Sequence, residues 1–407
     1  MFSQNPYKAV RLTEHTYWVG AIDWKIRDFH GYSTNRGSTY NAYLILKEEP
    51  VLIDTVKAPF LPELLSRVSS VVEPEKIRYI ISNHSEMDHS GCLPQVAKIT
   101  KAEKIFASKN GVAALNSHFD LECDLKAVND GEKLQLGGAD LSFFETKMLH
   151  WPDSTITYFP EDKVLFSQDG FGMHFASGKL YADEIPRSML EEEASRYYAN
   201  ILMPMSGLIR KLIDRLGELN LDISLLAPDH GPLYRRAEDI QWIIGKYLEW
   251  SKQLPNPKAV IVYDTMWGST EIMARAIAEG VGETGIEYKV LPISGNHRSD
   301  VATEVLTSGA LVVGSPTLNN GVFPSVSDVL TYLKGLKPKN LIGAAFGSYG
   351  WSGEASKRIA ENLKDMGVEL VAEPLMVRYV PKSEDLLKCR NLGAALGERL
   401  KELARNE

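Results

Sequence analysis

His84-Ser85-Glu86-Met87-Asp88-His89 stands just behind the apolar run Ile77-Arg78-Tyr79-Ile80-Ile81, so two imidazoles and two carboxylates crowd into a loop that leaves a strand. A turn does not require such residues, and the repulsion between acceptor-rich groups is relieved most readily by cations. The same pattern of an apolar run followed by a ligand recurs downstream. His150 stands in Leu149-His150-Trp151-Pro152-Asp153, Asp169 in Phe166-Ser167-Gln168-Asp169-Gly170, and His230 in Ala227-Pro228-Asp229-His230-Gly231-Pro232. These three look like the remainder of one site.

Around these loops the amino-terminal part alternates strand and helix irregularly. Strands are expected at Thr39–Leu46, Val51–Ile53, Leu141–Phe144, Thr155–Tyr158 and Val164–Phe166. Helices are expected near 60–70, 91–99 and 109–117, with one long amphipathic helix from about 187 to 217. This is an α+β layer pattern without internal repeats. Tyr197 and Tyr198 lie on the long helix, and periodicity turns one of them inward. A helical pattern ending near Trp250 gives way to Leu254-Pro255-Asn256-Pro257-Lys258, a two-proline linker, and then to the fresh strand Ala259–Tyr263. The chain divides there, into 1–254 and 255–407. In the second part, strands near 259–263, 287–293, 310–314, 341–346 and 369–377 alternate with helices near 271–283, 300–308, 325–335, 353–366 and 383–405. That alternation predicts a doubly wound parallel sheet of flavodoxin size.

Composition narrows the function classes. A length of 407 residues suggests two or three domains. A net charge of -8 and a pI near 5.7 argue against nucleic-acid or anionic-membrane partners. No apolar run is long enough for a membrane span, and Met1–Lys8 lacks the pattern of a secretory leader, so a cytoplasmic location is expected. Cys92, Cys123 and Cys389 are widely spaced and offer neither a disulfide framework nor a CxxC knuckle. Any metal must be held by nitrogen and oxygen.

The seven candidate ligands comprise four imidazoles, His84, His89, His150 and His230, and three carboxylates, Glu86, Asp88 and Asp169, which together carry -3. Two divalent ions exceed that by one positive charge, which invites a small electron-poor ligand. Alternation along the loop sends His84 and Glu86 to one ion, leaving Asp88 and His89 for a second, with Asp169 free to bridge. A mixed imidazole and carboxylate set without thiolate, with Glu86 where a hydrolase often carries a third histidine, favours non-haem iron over zinc. The competing reading is a zinc hydrolase with metal-bound hydroxide as nucleophile. His15, His118 and His297 read as surface residues, and Trp151 as packing that shields the site. His30 and His174 are possible neighbours of the ligands.

After the strand Val260–Tyr263, the loop Thr265-Met266-Trp267-Gly268-Ser269-Thr270 opens a helix. Hydroxyls, backbone N–H groups and the positive helix end there suit one phosphate. The loop has no lysine, which excludes a nucleoside triphosphate loop, and neutral donors suit flavin mononucleotide, FMN. Two further strand-end loops, Ser315-Pro316-Thr317-Leu318-Asn319-Asn320-Gly321 and Gly347-Ser348-Tyr349-Gly350-Trp351-Ser352-Gly353, supply glycine backbone and aromatic rings for a flat isoalloxazine, with Tyr349 or Trp351 as stacking partner. Gly280-Val281-Gly282-Glu283-Thr284-Gly285 matches a dinucleotide fingerprint but lies at a helix end, and reads as a helix stop.

These motifs, taken together over nearly the whole chain, resemble the flavodiiron proteins, or A-type flavoproteins. The flavin loops look most like the branch that oxidises rubredoxin with oxygen. The resemblance implies a metallo-β-lactamase-like αββα domain followed by a flavodoxin-like one. It implies two irons, one held by His84, Glu86 and His150, the other by Asp88, His89 and His230, with Asp169 bridging. It implies reduction of O2 to water or NO to N2O with electrons passed through FMN. It further implies a separate donor protein such as rubredoxin, and a head-to-tail homodimer or dimer of dimers.

Overall fold

The computed structural model describes residues 6–405. The part of Met1–Lys8 that precedes Pro6 lies outside that range. The chain forms two compact units. The first takes in the chain up to Phe29, Thr34–Tyr197 and Gly207–Leu248; the second takes in His30–Ser33, Tyr198–Ser206 and the chain from Glu249.

The first unit is built on two sheets. One runs Val10–Arg11, Thr16–Trp18, Tyr43–Ile45, Val51–Ile53, Tyr79–Ile81, Lys104–Ser108 and Asp124–Val128 in spatial order, the other Lys133–Leu136, Ala139–Glu145, Thr155–Phe159, Val164–Gln168 and Leu225–Pro228. Side chains alternate across a strand, so the inner strands of the larger sheet feed two apolar layers. Tyr43, Ile45, Val51, Ile53, Ile81 and Phe106 enter the layer shared with Phe143, Phe159, Val164 and Phe166 of the other sheet. Leu44, Leu52, Ile80 and Ile105 point the opposite way, against Leu64, Val68, Leu93, Val96 and Leu115 of the helices Leu61–Ser69, Leu93–Thr100 and Lys109–His118. On the far face of the smaller sheet the Arg215 guanidinium of the helix Ser206–Leu219 covers Phe144 at 5.5 Å. The order of layers is helix, sheet, sheet, helix, and ligand-bearing loops leave strand ends of both sheets.

Three expected elements are interrupted. Thr39–Leu46 is two short strands, Ser38–Tyr40 and Tyr43–Ile45, that pair with different neighbours. Asn41 breaks the run: its backbone N–H donates to the Asp229 carbonyl at 2.7 Å and its amide to the carbonyls of Pro228 and Gly231 at 2.7 and 3.0 Å. The 187–217 helix is split into Arg187–Tyr197, a π-helical turn Tyr198–Leu202, a short turn Met203–Met205 and Ser206–Leu219. Pro204 has no N–H to continue the ladder, and both Tyr197 and Tyr198 are buried. The 369–377 strand is Glu369–Leu370 and Leu375–Arg378, on either side of a bend containing Pro374. Strands Lys104–Ser108, Asp124–Val128 and Lys133–Leu136 lie where none was expected: the last two are half-exposed and carry little apolar alternation, whereas Lys104–Ser108 is a buried strand whose apolar run, Ile105-Phe106-Ala107, is too short to stand out.

The second unit has the expected parallel sheet, ordered Glu287–Pro292, Lys258–Tyr263, Ala310–Gly314, Ile342–Tyr349, then Glu369–Leu370 and Leu375–Arg378. The order reverses direction between Lys258–Tyr263 and Ala310–Gly314, which puts a crevice at their carboxyl ends. Ala259, Ile261, Val312 and Ala344 pack under the helices Ser269–Glu283 and Ser383–Arg405. Those helices approach closely because Gly280 has no Cβ; one would sit 1.9 Å from the Arg390 carbonyl oxygen. Among the described residues no helix is long and apolar enough to cross a membrane.

Candidate metal centre and cofactor cleft

The loop beyond Tyr79–Ile81 is clamped before it reaches its first histidine. Asp54, at the end of the neighbouring strand and with φ of 54°, accepts the Asn83 N–H at 2.7 Å and its amide at 2.8 Å. Asn83 in turn accepts the Thr157 hydroxyl at 2.6 Å and, on its carbonyl, the Thr155 N–H at 3.0 Å. Asp88 and His89 then sit on the single-turn helix Met87–Ser90, closed by the Ser90 hydroxyl on the carbonyls of Ser85 and Glu86. His150 comes from the loop before Thr155–Phe159, Asp169 follows Val164–Gln168, and His230 follows Leu225–Pro228.

All seven expected ligands converge. His84, Glu86, His150 and Asp169 offer ligand atoms within 4.8 Å of one another, and so do Asp88, His89 and His230. Asp169 faces both sets. Its Oδ2 lies 3.0 Å from His150 Nε2 and 3.5 Å from His84 Nε2, while its Oδ1 lies 3.1 Å from His89 Nε2 and 3.4 Å from His230 Nε2. Every imidazole therefore presents Nε2 inward. Two are held from behind by hydrogen bonds, His230 Nδ1 donating to the Thr39 carbonyl at 2.6 Å and His84 Nδ1 lying 3.4 Å from Asp153 Oδ2, while His89 Nδ1, without a hydrogen bond from the described residues, faces Asp229 Oδ2 at 3.6 Å. The Trp151 ring meets His84 edge-on at 5.3 Å.

Both Asp88 oxygens, Asp169 Oδ1 and His89 Nε2 are buried without a hydrogen bond of good geometry from the described residues. Leaving such groups unpaired is costly, and cations between them are the natural remedy. The electrostatics agree. Burial lowers the His89 pKa, but the carboxylates of Asp88 and Asp169 outweigh it and raise it to about 10. His84 and His150 are raised against burial by their carboxylate neighbours, whereas the imidazoles around Asp169 hold it well below the usual carboxylate range despite burial. The cluster thus demands positive charge, and its nitrogen and oxygen donors suit two divalent ions of the iron or zinc type.

The supporting groups Asp54, Asn83, Asp153 and Asp229 escaped the sequence reading, although Asp153 and Asp229 flank His150 and His230 within three residues. His174 is also buried here, its ring 4.3 Å from that of His230 and its Nδ1 2.7 Å from the Ser38 hydroxyl. Burial, then the neighbouring His230, keeps it neutral. His30 belongs to the second unit. His118 and His297 are exposed, whereas His15 is half-buried and bonded to Asp162 at 2.9 Å.

In the second unit a cleft of about 660 Å³ lies at the strand ends. Met266, Trp267, Ser269, Pro316, Thr317, Leu318, Asn319, Asn320, Ser348, Tyr349, Gly350, Trp351 and Ser352 line it. Thr265, Gly268, Thr270, Gly321 and Gly353 shape it from behind instead. Thr265 accepts the Gly268 N–H at 3.0 Å, and Thr270 and Ser348 share a hydroxyl hydrogen bond at 3.0 Å that ties two loops together. Gly321 pairs with Leu318 in a small hairpin turned by Asn319 and Asn320 at positive φ, and Gly353 precedes the helix Glu354–Asp365. Tyr379 and Val380, beyond the last strand, complete the wall and were not expected. Trp267 and Trp351 are 94% and 86% exposed, a poor use of two indoles unless a flat apolar group covers them. Neutral donors at a helix start beside open aromatic faces fit a flavin nucleotide.

The ODP family beta lactamase model matches residues 39–231 and the flavodoxin model residues 261–393. The chain is 43% identical to nitric oxide reductase of Moorella thermoacetica, over 96% of this chain and 98% of that protein. Its structure is similar to that of rubredoxin oxygen:oxidoreductase from Desulfovibrio gigas, with a TM-score of 0.96, 42% identity and coverage of 98% and 100% of the two chains. The flavodiiron protein from Giardia intestinalis gives a TM-score of 0.94, 35% identity and 98% coverage of both chains.

Proposed function

The chain belongs to the flavodiiron protein family, and on that premise we propose that it is an oxidoreductase that reduces O2 to water, NO to N2O, or both, at a diiron centre fed through FMN. His84, Glu86 and His150 would hold one iron and Asp88, His89 and His230 the other, with Asp169 placed to serve both. The carrying observation is the disposition of Asp169, whose two oxygens face different sets of imidazoles.

When bound, two ferrous ions would supply the Lewis acidity and electrons to reduce a diatomic gas, and FMN would supply the electron relay. The chain's own residues do the rest. Groups behind the rings of His84, His89 and His230 keep their Nε2 atoms inward, so those donor atoms are in place before an ion arrives. Burial of all seven side chains but His150, which is half-buried, limits water at the site. In the second unit the Thr265–Thr270 loop and the start of the following helix receive the flavin phosphate, and Tyr349 and Trp351 flank the ring. A zinc hydrolase has no use for that cleft, which counts against the competing reading. We further infer a division of the chain near residue 254, an external donor protein such as rubredoxin, a head-to-tail homodimer or dimer of dimers, and a cytoplasmic location.

Protein purified without oxygen should contain about two irons and one FMN per chain and, given a reductant, consume O2 or NO. Zinc in place of iron after growth with ample iron, or reduced protein inert towards both gases, would overturn the proposal.

A further inference from the structure

Asp229 precedes His230 and is fully buried, and neither of its carboxylate oxygens receives a hydrogen bond from the described residues. It faces His89, whose Nδ1 lies 3.6 Å from its Oδ2. On the opposite side of the same ring, Nε2 lies 3.1 Å from Asp169 Oδ1 and 3.5 Å from Asp88 Oδ1. The backbone beneath the ring is held as well. The Thr55 N–H donates to the His89 carbonyl at 3.1 Å, and the Thr55 hydroxyl bonds to the same oxygen. The ring therefore stands between a carboxylate at Nδ1 and the metal-facing carboxylates at Nε2.

We propose that Asp229 is the positioning residue for His89, fixing it in the ligating orientation and thereby setting the affinity of the metal position that His89 shares with Asp88 and His230. A carboxylate at Nδ1 keeps the proton there, leaves the Nε2 lone pair free for a metal, opposes ring rotation and makes the imidazole a stronger donor. Within this set only His89 has a carboxyl group behind its Nδ1, since His230 donates to a backbone carbonyl, that of Thr39. The other set has a counterpart. Asp153 stands 3.4 Å behind His84 Nδ1 and is itself anchored by the Ser85 N–H at 2.6 Å. Two buried carboxylates thus serve two metal positions separately, and substitution of each should be felt at one ion only.

The inference rests on the metal assignment proposed above, and the experiment separates the two. Metal-free full-length protein, Asp229→Asn and Asp153→Asn are titrated with Co(II) without oxygen, and the same proteins are loaded with Mössbauer-active iron at substoichiometric amounts. The native protein should bind about two equivalents, and Asp229→Asn should keep one at native affinity and weaken the other by about 10- to 100-fold. Asp153→Asn should weaken the complementary position, so that the two variants retain different Mössbauer doublets. Asp229→Ala, which leaves no amide to bury, should behave as Asp229→Asn does and serves if the latter fails to fold. In a His89→Ala background, Asp229→Ala should change neither affinity further. Native affinity at both positions in the Asp229 variants, equal losses at both, or a further loss in the His89→Ala background would overturn the inference. A native protein that takes up no metal would overturn the metal assignment instead.

Discussion

The substitution Asp169→Asn keeps the shape of the side chain while removing one charge from the centre of the cluster. In the native protein that carboxylate lies between 3.0 and 3.5 Å from all four inward-facing imidazole nitrogens. The substitution takes the formal charge of the seven ligands from -3, for three carboxylates, to -2, for two. At an effective dielectric constant near 20, a unit charge pair about 4 Å apart is worth about 4 kcal/mol, and more for a divalent partner. Retaining only half of that figure after relaxation still weakens each ion by about 30-fold, because about 1.4 kcal/mol is a factor of ten. Both ions are affected, because both sets share the residue. Asp169→Asn loaded without oxygen and passed through a desalting column should therefore retain less than half the native iron by elemental analysis. Its gas consumption with a chemical reductant should fall by about 100-fold or more, while its FMN content stays native. Native iron content together with native turnover would refute both the bridging role and the grouping of ligands built on it.

Chelation exposes the charge imbalance of the ligands. With the ions removed, His89 has a pKa raised to about 10, so its protonation stabilises the metal-free fold fully below the unfolded imidazole value of about 6.5. That contribution is lost as pH rises towards 10, and urea unfolding should show metal-free protein weakening over this window far more than the metal-loaded protein. At Asp162, burial alone would raise the pKa, but hydrogen bonds from Thr13, His15 and Thr16 hold it below the usual carboxylate range. This group stabilises the fold above its unfolded value of about 3.9 and the gain is lost on acidification, so Asp162→Asn should cost about 1–3 kcal/mol at neutral pH and flatten the acid limb of the stability curve. Trp351→Ala should weaken FMN binding by about 2- to 12-fold, from about 0.5–1.5 kcal/mol of lost ring stacking, with iron content unchanged; flavin fluorescence titration reads this directly. Gly347→Ala places a Cβ 2.0 Å from the Ser315 carbonyl oxygen, and should spread the two flavin loops and release FMN in the same assay.

The ligand set is legible in the chain itself because metal chemistry demands residue types that a turn does not, and four of the seven ligands lie in one hexapeptide. The doubly wound unit is legible too, since buried parallel strands are short apolar runs and their order follows from alternation with helices. Interruptions of expected elements are harder to see. Asn41 splits a run of good strand formers because its partners are Pro228, Asp229 and Gly231, nearly 190 positions away, and no local window contains them. Pro204 is plain in the sequence, yet the amphipathic pattern on either side of it conceals that the chain between Tyr197 and Ser206 changes units.

The sequence by itself determined which atoms are available to bind metal and flavin, because that depends on composition and short spacing. Only the tertiary structure decided how those atoms are aimed. His84 meets Asp153 across 69 positions and His230 meets Thr39 across 191, so the carboxylate and carbonyl that turn these two Nε2 atoms inward become neighbours only when two sheets pack face to face. The same holds for Asp169, whose ability to serve two sets of imidazoles at once comes from the convergence of separate strand ends, a geometry that no local periodicity encodes.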